Sequence, residues 1–342
     1  MTSRYPFLIP KQAPPIQIPA MVDLIALTQL PDGAIPWSTG DKTDPWDHVE
    51  SAMGLTMGGA HAQAREAYAW LSRQQLPDGS WHAAYKNGAV SDRTRETNHA
   101  AYIAVGVYHY YLTTADLEFV TRMWPAVDAA MGFVLRHQAP SGEIYWAVSP
   151  GGSVDRMALL TGCSSILFSF KCALALARVM GAARPQWRIA MERLQDCIQN
   201  RPQRFNMTKA RFAMDWFYPI LSGAVRGREA QARIDKYWKK FIIQNMGARC
   251  VSDQPWVTIA ETSELVIALE AMGNRLAAHI LFNWILDHRF DDGTFWCGFT
   301  FPDMVLWPEE RITWTNAVVL LAADCLYDLT PAAGLFRHDH FA

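Results

Sequence analysis

The sequence predicts an all-α protein: an (α/α)6 toroid of six inner and six outer helices, with long loops at one rim. Two observations lead to this prediction. A short sequence pattern recurs at intervals of about one helical hairpin, or a multiple of it. Helical stretches also alternate between amphipathic segments, which are typical of a surface, and segments that are apolar nearly all round.

The recurring pattern is clearest at residues 70–81 (WLSRQQLPDGSW), where an aromatic and an aliphatic residue precede a Gln and then a Gly. Copies at 25–33 and 133–142 keep the aliphatic residue, the Gln and the Gly. A fourth copy at 284–293 carries Arg289 in place of the Gln. Each copy indicates the end of a helix followed by a tight turn. The pattern therefore predicts equivalent turns that lead from an outer helix into a rim loop.

Helical segments of the two kinds follow one another along the chain. The surface-type segments are 18–29, 60–75, 116–138, 185–200, 227–244 and 274–289. The apolar segments are 46–57, 95–112, 157–179, 212–223, 257–272 and 309–326. Asp44 and Pro45 open the first apolar segment as an N-cap and a first-turn proline, and Pro308 is expected to open the last. Because the long loops all precede apolar segments, we expect the functional rim at the N-terminal ends of the inner helices.

The domain organisation is expected to be simple. One helical domain covers residues 18–329, an extended arm covers 1–17, and a tail covers 330–342. The first 19 residues contain five prolines and no continuous apolar stretch, so they do not resemble a signal peptide.

Composition excludes several classes of partner. The net charge of −2 gives no basic footprint for nucleic acid. No uncharged apolar stretch reaches the roughly 20 residues that a membrane-spanning helix needs. The six cysteines are widely spaced and are expected to stay reduced. These features favour a soluble cytoplasmic protein and leave its oligomeric state open.

The stretch at 70–81 resembles the repeated Gln–Trp motif of triterpene cyclases and their prenyltransferase relatives. The alternating pattern after residue 18 equally resembles the six-hairpin glycosidases, the glucoamylase-like and unsaturated-glucuronyl-hydrolase-like barrels. Both resemblances imply an α/α toroid. The chain lacks the Asp-x-Asp-Asp run of protonating cyclases and the Asp, Cys and His zinc ligands of protein prenyltransferases. We therefore expect a sugar rather than an isoprenoid as the small-molecule substrate, and neither a metal nor another cofactor.

Carboxylates near the starts of inner helices are the candidate catalytic groups. Glycoside cleavage needs two carboxyl groups, one as the acid and one as the base or nucleophile. Asp47 and Glu50 share one face of the first inner helix. Asp215 and Glu261 each stand near a tryptophan, and burial beside an indole raises a carboxyl pKa. The acid and its partner are therefore expected among these four residues, with Glu261 suited to be the acid.

Aromatic and polar residues at the same rim predict sugar binding, because indole and phenol rings stack on the apolar faces of sugars while polar groups bind the hydroxyls. The predicted substrate-binding residues are Trp46, His48, Glu96, Asn98, Trp216, Tyr218, Trp256, Glu264, Trp307 and Glu309.

These residues favour a glycoside hydrolase that cleaves an oligosaccharide in a central cavity. Two alternatives stay open. One is a terpene cyclase or prenyltransferase-like enzyme, in which the acid row at 41–50 would hold Mg²⁺ against a diphosphate. The other is a toroid that binds a glycan without cleaving it.

Overall fold

Helices form nearly all of the regular structure in the computed structural model, which describes residues 13–341. Residues 1–12 of the predicted arm lie outside this range. Twelve α-helices follow one another in the described residues, joined by loops that contain short strands.

Six helices form a closed inner ring, because each contacts the next and the last contacts the first. They are α2 (Pro45–Met57), α4 (Thr97–Thr114), α6 (Leu160–Val179), α8 (Ala213–Leu221), α10 (Ile259–Ala271) and α12 (Thr313–Tyr327). The alternate helices pack outside this ring. They are α1 (Ile18–Thr28), α3 (His61–Gln74), α5 (Leu117–Arg136), α7 (Pro185–Asn200), α9 (Gly227–Phe241) and α11 (Arg275–Ile285). The predicted toroid is confirmed.

The long loops precede the inner helices, as predicted, and small antiparallel sheets stiffen them. The sequence did not predict these strands. They are β1 (Ala84–Lys86), β2 (Ala89–Asp92), β3 (Arg95–Glu96), β4 (Ala147–Val148), β5 (Val154–Asp155), β6 (Ile242–Ile243), β7 (Gly247–Arg249), β8 (Trp256–Thr258) and β9 (Gly298–Thr300). Two 3₁₀ segments, Pro202–Arg204 and Met207–Arg211, occupy the loop before α8.

The repeated glutamine ties each outer helix to the next one. Gln75 Nε2 donates to Gly79 O at 3.0 Å and to Ala126 O of α5 at 2.9 Å. Gln29 and Gln138 each make the same pair of bonds, to the Gly four residues on and to the following outer helix. The motif is therefore part of the scaffold, and it sets the spacing of the outer ring.

The sixth inner helix begins later than predicted. The sequence pattern placed its start at Glu309 after Pro308, whereas α12 begins at Thr313. Thr300 N donates to Val305 O, and Trp307 N donates to Gly298 O. Residues 305–307 are therefore held extended beside β9, and the prediction of helix at 309–312 is wrong.

The inner helix α6 is long and apolar enough to cross a bilayer by length and composition alone. In the structure it lies in the ring, and 78% of its most apolar window is buried. Its apolar surface is thus accounted for by packing inside the barrel.

The end of the barrel opposite the long loops is covered by the C-terminal tail. Phe336 stacks on Phe168 of α6 with ring centroids 5.2 Å apart. Phe341 packs against the same Phe168 and against Tyr108 of α4. His338 Nε2 lies 3.1 Å from Leu221 O at the end of α8. The barrel is therefore closed at this end.

Candidate active site

A cavity of about 420 Å³ lies at the rim where the inner helices begin. Carboxylates, indoles and other polar side chains line it. The lining residues are Trp37, Lys42, Asp44, Trp46, Asp47, Ala83, Ala84, Asp92, Glu96, Asn98, His99, Leu159, Thr161, Gly162, Met214 and Trp314.

Asp47 is one of four acidic residues that line this cavity, and it stands in the first turn of α2. Asp44 caps the helix by accepting a bond from Asp47 N at 3.0 Å, as the sequence predicted. The Asp47 side chain is surrounded by protein but keeps partial access to the cavity. Burial, together with the charges of Asp44, Glu50 and Glu264, raises the pKa of Asp47 well above its ordinary value, and Lys42 opposes this. Asp47 therefore holds its proton to a higher pH than an ordinary aspartate.

Glu261 occupies the equivalent place on α10 and is 6% exposed. The pKa values of two cysteine thiols are affected by Glu261. Burial first, and then the charge of Glu261 and a hydrogen bond to it, raise the pKa of Cys250. Burial raises the pKa of Cys297 to about 12, helped by the charges of Glu261, Glu310 and Asp47. Asp47 and Glu261 stand on inner helices that both contact α12, and of the two only Asp47 lines the cavity.

One turn deeper, a second pair of carboxylates forms the floor. Tyr102 donates to Glu50 Oε1 at 2.5 Å, and Trp314 Nε1 donates to Glu50 Oε2. Tyr218 donates to Glu264 Oε1 at 2.5 Å. Burial raises the pKa of Glu50 to about 7, and burial with the charge of Glu50 raises the pKa of Glu264 well above its ordinary value.

Glu50 and Glu264 are less accessible from the cavity than Asp47 is. Both oxygens of Glu50 already accept hydrogen bonds, and its side chain is 3% exposed. Glu264 is 2% exposed, and its Oε2 has no partner among residues 13–341. The geometry makes Glu50 a support for Trp314, which lines the cavity, and Glu264 a buried carboxyl group one turn deeper than Glu261.

Three of the predicted binding residues line the cavity. Trp46 stacks on Tyr102 with centroids 4.8 Å apart, which fixes its indole in the wall. Asn98 and Glu96 lie at the start of α4. Glu96 Oε2 accepts a bond from Trp146 Nε1 at 2.9 Å.

Other predicted residues face outward or brace the scaffold. His48 has both ring nitrogens engaged, Nδ1 with Ile35 N at 3.0 Å and Nε2 with Ala67 O at 2.9 Å. Burial lowers its pKa to about 4, so the ring is neutral. It therefore links α2 to α3 and to a rim loop.

Asp215 and Trp216 of α8 also have structural contacts. Asp215 Oδ1 accepts bonds from Thr161 N at 3.1 Å and Thr161 Oγ1 at 2.6 Å, which caps the neighbouring helix α6. Trp216 stacks on Phe241 of α9 at 5.2 Å. Both line a separate cavity between α8 and α9 rather than the central one.

The remaining predicted residues lie below or above the cavity. Tyr218 is 1% exposed, in the floor beside Glu264. Trp256 and Trp307 pack edge to face at 4.9 Å in the rim loops. Glu309 is exposed in the loop before α12, outside any helix.

Several lining residues were not predicted, and a positional signal would have found some of them. His99, which lines the cavity, stands at the third position of α4, as Asp47 does on α2. Tyr102, which packs on the lining residue Trp46, stands at the sixth position, as Glu50 does. Aligning the inner helices by their first residues would therefore have selected both. Trp37 had no such signal, because it stands in a rim loop and reaches the site by donating to Asp44 Oδ2 at 2.5 Å.

No group of three or more His, Cys, Asp or Glu side chains in the described part of the chain is arranged to hold a metal ion. The acid row at 41–50 is divided among separate tasks. Asp41 lies 3.6 Å from Lys86, Asp44 caps α2, and Asp47 enters the cavity.

Comparison with known proteins gives one strong sequence relative and several structural ones. No protein-family model matches the chain. It is 47% identical over 329 residues to the MMP endo-(1,4)-3-O-methyl-alpha-D-mannosidase of Mycolicibacterium hassiacum, covering 96% of this chain and 91% of that protein.

Solved structures of low identity share the fold. The GH63 mannosylglycerate hydrolase of Thermus thermophilus matches with a TM-score of 0.69 at 12% identity, over 89% of this chain and 99% of that one. The cellobiose 2-epimerase of Spirochaeta thermophila matches with a TM-score of 0.65 at 14% identity, over 90% and 94%. A D-mannose isomerase matches with a TM-score of 0.67 at 10% identity, over 90% and 95%.

Proposed function

The chain belongs to the family of the Mycolicibacterium hassiacum endo-mannosidase and is a glycoside hydrolase, and we propose that it cleaves internal α-(1,4) bonds of an oligosaccharide of 3-O-methylmannose. The observation that carries this proposal is the identity of 47% across 96% of the chain. A cavity open at one rim and lined by acids and indoles fits such a substrate.

In this proposal Asp47 is the general acid. A general acid must hold a proton at the working pH, and the raised pKa of Asp47 satisfies that requirement. No side-chain hydrogen bond engages its carboxyl group within residues 13–341, so the proton is free to pass to the glycosidic oxygen. The C–O bond to the leaving sugar breaks as this proton is transferred.

Glu261, which the sequence suggested as the acid, is instead proposed as the partner, because Asp47 and not Glu261 lines the cavity. It would act on the opposite face of the sugar as the base for a water molecule or as the nucleophile. Its position on α10 matches that of Asp47 on α2, which supports a role at the same depth. Asp47 and Glu261 are both predicted catalytic residues, whereas Glu50 and Asp215 are assigned to support because their carboxylates are already bonded within the protein.

Substrate binding is assigned to the cavity wall. Trp46 and Trp314 present indole surfaces for the apolar faces of sugar rings. Glu96, Asn98 and His99 present polar groups for sugar oxygens.

The direct test is to incubate the purified chain with α-(1,4)-linked 3-O-methylmannose oligosaccharides and to follow chain length by mass spectrometry. Cleavage at internal bonds is expected, with fragments of intermediate length appearing first. A chain that is left intact, or is shortened only one sugar at a time from its end, would refute the proposal.

We further propose that the protein works in the cytoplasm, without nucleic acid as a partner. The six free cysteines support a reducing compartment. The net charge of −2 supports a neutral substrate over a nucleic acid.

A further inference from the structure

Three large apolar side chains stand exposed together in the loop between β9 and α12. Met304 is 37% exposed, Val305 54% and Trp307 56%. We call residues 301–308 the rim loop. Clustered apolar residues are costly to expose to water and often mark a binding surface.

The rim loop is held rigidly, so the exposure of these side chains is built into the fold. Thr300 N donates to Val305 O at 2.9 Å, and Trp307 N donates to Gly298 O at 3.0 Å. Trp256 Nε1 donates to Trp307 O at 3.0 Å, and the two indoles pack edge to face. Trp307 is therefore presented to solvent by backbone contacts and by a second tryptophan.

None of residues 301–308 lines the cavity, but the rim loop connects an element that does to one that carries a candidate catalytic residue. It leads into α12, where Trp314 lines the cavity and Thr313 N donates to Trp37 O at 2.8 Å. On its other side it follows β9, which pairs with β8 immediately before α10. The loop thus stands at the rim between α12 and the helix that carries Glu261.

The charged residues around the rim loop indicate which kind of ligand it can bind. Asp303, Glu309 and Glu310 are exposed beside the apolar side chains. The next cation along the chain, Arg311, is paired with Asp292. One cation, Arg249, stacks on Phe301 at the start of the loop, with its guanidinium carbon 4.9 Å from the ring centre, so the three carboxylates outnumber it. A surface edged by carboxylates repels an anionic membrane or a nucleic acid, so a neutral apolar ligand is favoured.

We propose that the rim loop binds the methyl ethers of sugar units that extend out of the cavity, beyond the bond that is cleaved. This inference rests on the proposed function, since it takes a 3-O-methylated chain as the substrate. A methyl ether exchanges a hydroxyl group for an apolar group, and burying it against Met304 and Val305 removes apolar surface from water. Trp307 supplies the flat face on which the sugar ring stacks.

The test is equilibrium binding by calorimetry, on an Asp47→Asn background that prevents turnover. Two ligands of equal length are compared, a 3-O-methylated and an unmethylated α-(1,4)-mannooligosaccharide.

Trp307→Ala is expected to weaken binding of the methylated ligand about tenfold and that of the unmethylated ligand less. Val305→Thr keeps the side-chain shape but adds a polar group, and should weaken the methylated ligand alone, by roughly threefold. Leu276→Ala is the matched control, because Leu276 is an apolar residue 75% exposed on outer helix α11, and its replacement should change neither affinity.

Three outcomes would overturn the inference: unchanged affinities in both loop variants, equal losses for the two ligands, or no binding of either ligand. Binding to phosphatidylserine vesicles that is lost in Trp307→Ala would overturn it in favour of a membrane surface. Failure of the proposed function is separable. A wild-type protein that leaves the methylated chain uncut, while the loop variants still bind it more weakly, refutes the activity and keeps the rim loop as a methyl-ether site.

Discussion

Asp47 and Glu261 are each the third residue of an inner helix, α2 and α10, and a single inner helix, α12, contacts both of these helices. The same register repeats one turn deeper, where Glu50 and Glu264 are each the sixth residue. Two layers of carboxylates thus approach the barrel axis from the same two helices. In the upper layer Asp47 lines the cavity, and in the lower layer the charges of Glu50 and Glu264 raise the pKa of Asp47.

Asp47→Asn and Glu261→Gln should each lower kcat by about 10²–10⁴-fold, because each removes a proton-transfer group while keeping its shape. The measurement is kcat on the methylated oligosaccharide, with thermal unfolding to show that each variant remains folded. Glu118→Gln is the control, since this carboxylate is 86% exposed on outer helix α5. Full activity in both site variants would remove the pair from the mechanism.

The decline of kcat/KM at high pH, the alkaline limb of the pH profile, should follow the pKa of Asp47. A general acid works only while protonated, so kcat/KM should fall as pH rises through the pKa of Asp47, which lies above the ordinary aspartate value. Lys42 lowers this pKa, whereas Glu264 raises it. Lys42→Gln should therefore move the limb to higher pH, and Glu264→Gln to lower pH. Shifts in the opposite directions would contradict the assignment of Asp47 as the acid.

Glu50 should make the folded protein less stable as pH rises. Its folded pKa of about 7 lies above the ordinary value of 4.5, so the folded state binds its proton more tightly than the unfolded state. The stabilisation is complete below pH 4.5 and is lost as pH rises through about 7, a change on the order of 3 kcal/mol. Glu50→Gln should flatten the pH dependence of the unfolding free energy in that window, as measured by urea denaturation. An unchanged slope in the variant would exclude Glu50 as its source.

The toroid was predictable because its signals are local. The Gln–Gly pattern of residues 70–81 encodes a turn whose bonds are repeated around the outer ring, and helix caps such as Asp44 act within one turn. The inner helices are likewise recognisable because they are apolar on all sides.

The site was predictable only in part, because its contacts cross the ring. Trp314 donates to Glu50 across 264 residues of sequence, and Tyr218 to Glu264 across 46. A carboxylate bonded in this way looks the same in the sequence as one that faces substrate. The predicted start of α12 was wrong for a related reason. Pairing with β9 holds residues 305–307 extended, and Pro308 alone does not reveal this pairing.

The repeated glycine should be required for close packing as well as for its backbone angle. Gly79 has φ of +88°, and a Cβ there would lie 2.1 Å from Ala129 O of α5. Gly88 has a similar φ of +74°, but a Cβ added there would have no atom within 4 Å. A substitution at Gly88 therefore measures the cost of the backbone angle alone. Gly88→Ala should cost about 1 kcal/mol of stability, and Gly79→Ala at least about 2 kcal/mol more. Equal losses by chemical denaturation would show that the contact with α5 contributes nothing.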